Sequence, residues 1–165
     1  MGPDCGTVVI NGQGLGFSNV CPVGPVGIVS ASGTGLQEVM VQLARRGIGV
    51  KHGLGTGGRD IKSAVGGISS LTAVEALTSD PEISVMVFIS KPPSPEVREK
   101  IVQALRSSGK PSVTCFMGES PREDEPKLKY ATGLEECATL AAALLGGKDV
   151  IKAREDLINE YLKIE

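Results

Sequence analysis

Residues 26–44 read VGIVSASGTGLQEVMVQLA. Val26-Gly27-Ile28-Val29 is a short apolar run without alternation, the pattern of a strand buried on both faces. Beyond the glycine turn the period changes: Leu36, Val39, Met40, Leu43 and Ala44 fall on one side of a helix. Thr34 and Gln37 have capping-box spacing, which predicts a helix start at Thr34, and Gly47 stops it. A buried strand that feeds an amphipathic helix is the unit of parallel α/β sheets.

The unit recurs along the chain. Ile48-Gly49-Val50 reads as a second, weaker strand, followed by a glycine-rich loop from His52 to Asp60. Leu71, Val74 and Leu77 mark a helix that ends before Asp80-Pro81. Val85 to Ile89 is apolar throughout and is the clearest strand. Ser94-Pro95 opens another helix, with Ser as N-cap and Pro at the first helical position. Val97, Ile101, Ala104 and Leu105 form its buried face, Glu96 and Lys100 are spaced for an exposed ion pair, and Gly109 ends it. Ser112 to Met117 is a fourth strand, and a polar loop runs from Gly118 to Tyr130. Thr132 and Glu135 predict a second capping box, opening an Ala/Leu-rich helix to Leu145. Val150, Leu157, Ile158, Tyr161 and Leu162 have helical spacing and predict a closing helix that docks on this domain or on a partner. Upstream, Asn11-Gly12 between two apolar triplets suits a hairpin turn.

The expected fold is therefore flavodoxin-like: a three-layer α/β/α domain with a mostly parallel sheet of four or five strands. Residues 1–25 are a Gly/Pro-rich lead-in, residues 26–147 the domain, and residues 148–165 the closing helix.

Composition narrows the function classes. A chain of 165 residues suits one domain with a proper core. The formal charge of −2 and an aromatic content of 3% give neither a basic footprint nor stacking platforms for nucleic acid. The four cysteines form no CxxC pair and no metal-ligand spacing, so no metal is expected. Cys115 and Cys137 lie in apolar segments and read as buried thiols, whereas Cys5 sits beside glycine and suits an exposed one. Neither a signal peptide nor an apolar run of spanning length is visible, so the expected setting is the cytoplasm, without a membrane partner.

Three strand-to-helix corners offer chemistry. At Ser32, Gly33, Thr34 and Gly35, backbone N–H groups and hydroxyls meet a helix N-terminus, a setting for a phosphoryl group. The same residues serve equally as a tight corner. The loop containing Gly57, Gly58, Arg59 and Asp60 suits a backbone nest with an arginine clamp, or a solvated loop with a surface ion pair. Lys91 follows the third strand, stiffened by Pro92-Pro93, and is a phosphate partner or a solvated lysine. His52, the one histidine, reads as a loop residue, and Glu119, Glu123, Asp124 and Glu125 as a solvated charge run.

Taken in order, GPDCGT at residues 2–7, LGFSN at 15–19, ASGTG at 31–35, GTGGRD at 55–60, VGG at 65–67 and ISKPP at 89–93 form a specific set. This set resembles the FdrA-like branch of acyl-CoA synthetases and, more broadly, the ligase domain of the succinyl-CoA synthetase α subunit. The resemblance implies a succinyl-CoA synthetase-like domain whose Ser32-Gly33-Thr34 turn holds a phosphoryl group. It also implies a phosphohistidine after the fourth strand, yet residues 118–133 contain no histidine, so no catalytic residue is assigned. A glutamate that would hold that histidine is replaced by Lys91. By the same resemblance the lead-in, residues 1–25, is similar to the exit from a CoA-binding domain, and CoA would be bound only through such a domain outside this chain. The implied partners are further copies of the chain or subunits of a synthetase-like complex. The FdrA-like branch further implies an oxamate carbamoyltransferase-type assembly using carbamoyl phosphate.

Four functions follow for comparison. The leading one is a ligase-type domain binding phosphate or an acyl phosphate without a phosphohistidine. The alternative is a non-catalytic subunit-assembly module. A flavin site lacks aromatic residues for the ring, and a serine hydrolase lacks the GxSxG elbow.

Overall fold

The computed structural model describes residues 4–120 and 122–163. Met1 to Pro3 of the family-like opening and the last two residues of the closing segment lie outside them. The elements are β1 (Val8–Ile10), β2 (Gln13–Gly14), β3 (Val26–Ser30), α1 (Gly33–Arg45), β4 (Val50–Gly55) and α2 (Ile68–Ser79). They continue as β5 (Val85–Ser90), α3 (Pro95–Ser107), β6 (Ser112–Phe116), β7 (Leu128–Tyr130), α4 (Leu134–Leu145) and α5 (Val150–Tyr161).

The strands form one seven-stranded sheet in the order β2-β1-β4-β3-β5-β6-β7. The five strands from β4 to β7 run parallel, with Ser30 beside Gly55 on one side and beside Ile89 on the other. β1 joins β4 antiparallel and β2 returns through the Asn11-Gly12 turn. Both turn residues have positive φ, 49° and 73°, as the expected hairpin turn requires.

Two cores cover the sheet. On one face Ile28, Val87, Ile89 and Val113 meet Leu36 and Met40 of α1 and Cys137 and Leu140 of α4. On the other, Val29, Met86 and Phe88 meet Leu77 of α2 and Ile101 and Leu105 of α3. This is the three-layer α/β/α fold with a mostly parallel sheet. α1 turns the chain from β3 to one side, and α2 carries it back to β5 on the other. The order therefore reverses between β3 and β5, where ligands of open α/β sheets bind at the carboxyl ends.

Several local expectations are corrected. The second strand is not Ile48–Val50; it starts at Val50 and runs through His52 to Gly55. Ladders on both sides stabilise it despite its two glycines, which admit Leu36 against Gly53 and Cys5 against Gly55. α1 is capped by Ser32, whose Oγ accepts from the Gly35 N–H at 3.1 Å, rather than by Thr34 with Gln37. Gln37 instead donates to Asn19. The second capping box is shifted by one: Thr132 donates through N and Oγ1 to Glu136, not Glu135. Ser94 stands at the N-cap of α3 but makes no capping bond, and Glu96–Lys100 is not among the ion pairs of the described residues.

Of the four acids in the polar loop after β6, only Glu123 stays exposed without an ion pair among the described residues; the other three are held by arginines. Glu119 accepts from Arg98 at 2.9 Å, and Glu125 takes both ends of the Arg106 fork at 2.7 and 2.8 Å. Asp124 and Glu136 share Arg154 of α5 at 2.5 and 2.6 Å. These ties shape the loop so that Leu128–Tyr130 adds a short parallel edge strand. They also fasten α5, which docks on α4 through Leu157 while Ile151, Ile158, Tyr161 and Leu162 stay exposed.

Candidate phosphoryl site at the carboxyl edge of the sheet

The first corner is knitted by its own serines. Ser30 is fully buried; its Oγ donates to the Ser32 carbonyl at 2.7 Å and accepts from the Ser32 N–H at 3.0 Å. That fixes the sharp exit from β3. Ser32 Oγ lies 3.3 Å from Thr34 Oγ1, so the two hydroxyls stand side by side at the start of α1. The Gly35 amide is taken by the Ser32 cap and the Leu36 amide by the Ser32 carbonyl. Among the described residues the Gly33 and Thr34 amides have no protein partner. An N-terminus with free amides carries a partial positive charge and accommodates an anion.

The second corner is brought against the first. The Thr56 N–H donates to the Ser30 carbonyl at 2.8 Å, and the buried Thr56 hydroxyl reaches Ser70 at 3.2 Å. The four predicted residues of this loop divide in role. Gly57 has φ 85° and lies under Asp4; Gly58 faces open space. Arg59 is exposed, with its guanidinium 3.9 Å from the Asp4 carboxylate. Asp60 is fully buried, and its oxygens each accept at 2.8 Å, from the Ser69 and Ser70 amides. It caps α2, whose N-cap position is a glycine without a side chain to do so.

The third corner shares the same edge, since the Ala31 N–H donates to the Ile89 carbonyl at 2.9 Å. Lys91 is exposed and enters no ion pair among the described residues. Beneath it the Ser90 hydroxyl is buried without a partner.

One contributor escaped the sequence reading. The opening segment lies across the first two corners: Thr7 accepts from the Gly55 N–H at 3.0 Å, and the Cys5 sulfur sits against Gly55 and Gly33. The sequence signal was the GPDCGT run itself, read as a lead-in and as part of the family resemblance but not as part of the site. The other three cysteines are buried.

His52 lies elsewhere. It sits in the amino half of β4, about 10 Å along the strand from Gly55. Its Nδ1 accepts from the Asn11 N–H at 3.1 Å and its Nε2 faces Asp80 at 3.1 Å. The Glu82 N–H, and then Lys51 and His52, hold the Asp80 carboxyl below the usual carboxylate range. This cluster fastens the hairpin to the α2–β5 connection. Among the described residues no His/Cys/Asp/Glu group is arranged to hold a metal, and no helix is long and apolar enough to cross a membrane.

Fold and edge together define an open α/β domain whose three glycine or proline corners meet where the strand order reverses. The sequence pattern of the CoA binding domain family matches residues 23–118, and the chain belongs to that family. The match covers the whole segment from β3 to β6, whereas the resemblance had placed CoA binding outside this chain. The uncharacterised protein YahF of Escherichia coli (strain K12) is 46% identical over 150 residues, 90% of this chain and 29% of YahF. Distant similarity extends to the succinate–CoA ligase [ADP-forming] alpha subunit of Aquifex aeolicus, 25% identical over 97% of this chain and 49% of that subunit. The malate–CoA ligase alpha subunit of Methylorubrum extorquens is 27% identical over 72% of this chain and 40% of that subunit. The chain thus spans half or less of each of these relatives. Among solved structures, PH0766 from Pyrococcus horikoshii shares the fold, with a TM-score of 0.63 over 87% of this chain and 33% of PH0766 at 15% identity.

Proposed function

We propose that this CoA-binding-domain protein is FdrA-like and holds a phosphoryl group at the N-terminus of α1. The reading rests on one observation: the unpartnered Gly33 and Thr34 amides, flanked by the Ser32 and Thr34 hydroxyls, at the point where the strand order reverses. Arg59 and Lys91, both exposed at this edge, supply positive charge. Gly35 and Asp60 shape the turn and cap α2 rather than touch the ligand. No phosphohistidine takes part, because His52 is committed to the hairpin and residues 118–133 contain none.

The ligand class is a phosphate ester or acyl phosphate. Carbamoyl phosphate fits the FdrA-like reading, and the phosphates of CoA fit the family description. The site is the binding part of a larger synthetase-like or oxamate carbamoyltransferase-type assembly. Calorimetric titration with phosphate, carbamoyl phosphate and CoA tests this. Binding that weakens in Lys91→Ala and Ser32→Gly supports the site; binding of none of the three ends the proposal. The second reading, a non-catalytic assembly module, is favoured by the apolar side chains exposed on the lead-in segment.

A further inference from the structure

The sheet ends at β2 with an open edge, and that edge is unusual in charge. Between Asp4 and Glu38 the chain has no charged residue. Natural sheet edges are blunted by very short strands, lysine, inward charges, proline, bulges or a covering element, and of these β2 shows its shortness, two residues. Residues 10–20 at this edge contain neither charge nor proline.

The backbone there is set to pair again. The Leu15 N–H donates inward to the Val8 carbonyl at 2.9 Å, and the Phe17 N–H to the Gly6 carbonyl at 3.1 Å, so the ladder with the β1 side continues past β2. By antiparallel alternation Gly14, which precedes Leu15, turns its N–H and C=O to the open side. Along residues 10–23, Ile10, Leu15, Phe17, Val20 and Val23 are 39%, 54%, 81%, 102% and 59% exposed, with Val23 against Gly12 of the hairpin turn. The second exposed apolar patch, on α5, is interspersed with Lys152, Glu155 and Glu160 and lacks a backbone edge.

We propose that the β2 edge is an interface, and that its occupant is a second copy of this chain, paired β2 to β2 antiparallel about a two-fold axis. An uncharged patch meets its own copy without like-charge repulsion, and a strand edge is complementary to itself under antiparallel pairing. Covering the five side chains on both copies buries on the order of 1,000 Å², the threshold for a specific interface. The pairing joins two sheets into one.

Sedimentation velocity on the full chain, with a concentration series, tests it. The expected result is the mass of two chains. Phe17→Lys with Val20→Lys, at positions whose exposure leaves the fold intact by circular dichroism, raises the dissociation constant about a hundredfold or more. Ile158→Lys with Leu162→Lys leaves it unchanged. Hydrogen exchange shows the Gly14 amide protected in the dimer and unprotected on dilution. A monomer at every concentration overturns the proposal. So does a dimer that survives the Phe17/Val20 charges, one that the α5 charges dissociate, or one in which Gly14 exchanges freely.

Discussion

Cys5 and Gly33 lie against each other across 28 positions of sequence: a Cβ on Gly33 would stand 3.5 Å from the Cys5 sulfur and 2.6 Å from the Thr7 hydroxyl. The opening segment thus lies on the first turn of α1, which only a residue without a side chain permits. Gly33→Ala should displace the Thr7 side chain and loosen the opening segment on the helix. We expect a loss of about 1–3 kcal/mol in urea unfolding, as for other overpacked contacts, with faster alkylation of Cys5 followed by mass spectrometry.

Ser32 has two separable duties. Its hydroxyl caps α1, and it also stands 3.3 Å from the Thr34 hydroxyl at the proposed site. Ser32→Ala should cost about 1 kcal/mol through the lost cap, whereas Ser32→Gly should cost only a few tenths. Both should weaken phosphate binding. Equal affinity in wild type and Ser32→Gly would remove the hydroxyl from the site.

Asp60 should act on stability and leave ligand affinity alone. Asp60→Ala removes two charge-assisted bonds from the start of α2, which we expect to cost roughly 2–4 kcal/mol in urea unfolding. Asp60→Asn keeps one acceptor and should cost less. Phosphate affinity of the folded variants should match wild type in calorimetry.

Much of the fold was legible because apolar runs and helical faces need no partner to be recognised. Val85 to Ile89 and the Leu36–Leu43 stripe are buried whatever surrounds them. β7 was not legible: three residues form a strand only because β6 offers an edge and Asp124, Glu125 and their arginines shape the approach. The extension of β4 was hidden by Gly53 and Gly55, which weaken local strand propensity yet admit the packed side chains of Leu36 and Cys5. In the site, the glycine corners were visible, but the buried role of Asp60 was not. Its bonds reach nine and ten residues ahead, beyond any local capping pattern.

The docking of α5 should weaken in acid. Burial pushes the Asp124 and Glu136 carboxyls up. The opposing bonds outweigh it and hold both below the usual range: Arg154 and the Tyr130 N–H at Asp124, Thr132 and Arg154 at Glu136. Groups depressed in the folded state stabilise it fully above their unfolded values, near pH 4, and lose that contribution as the pH falls through the lower folded values. Urea midpoints measured from pH 6 downward should decline below about pH 4. Arg154→Met should lower the midpoint at neutral pH and flatten that decline.

The most direct measurement is amide chemical-shift mapping of the isotopically labelled chain during titration with phosphate and carbamoyl phosphate. Saturable shifts centred on the Gly33 and Thr34 amides, with Arg59 and Lys91 responding and His52 silent, are the predicted result. Saturable shifts elsewhere with Gly33 and Thr34 unmoved, or no saturable shift at all, would contradict a phosphoryl site at the N-terminus of α1.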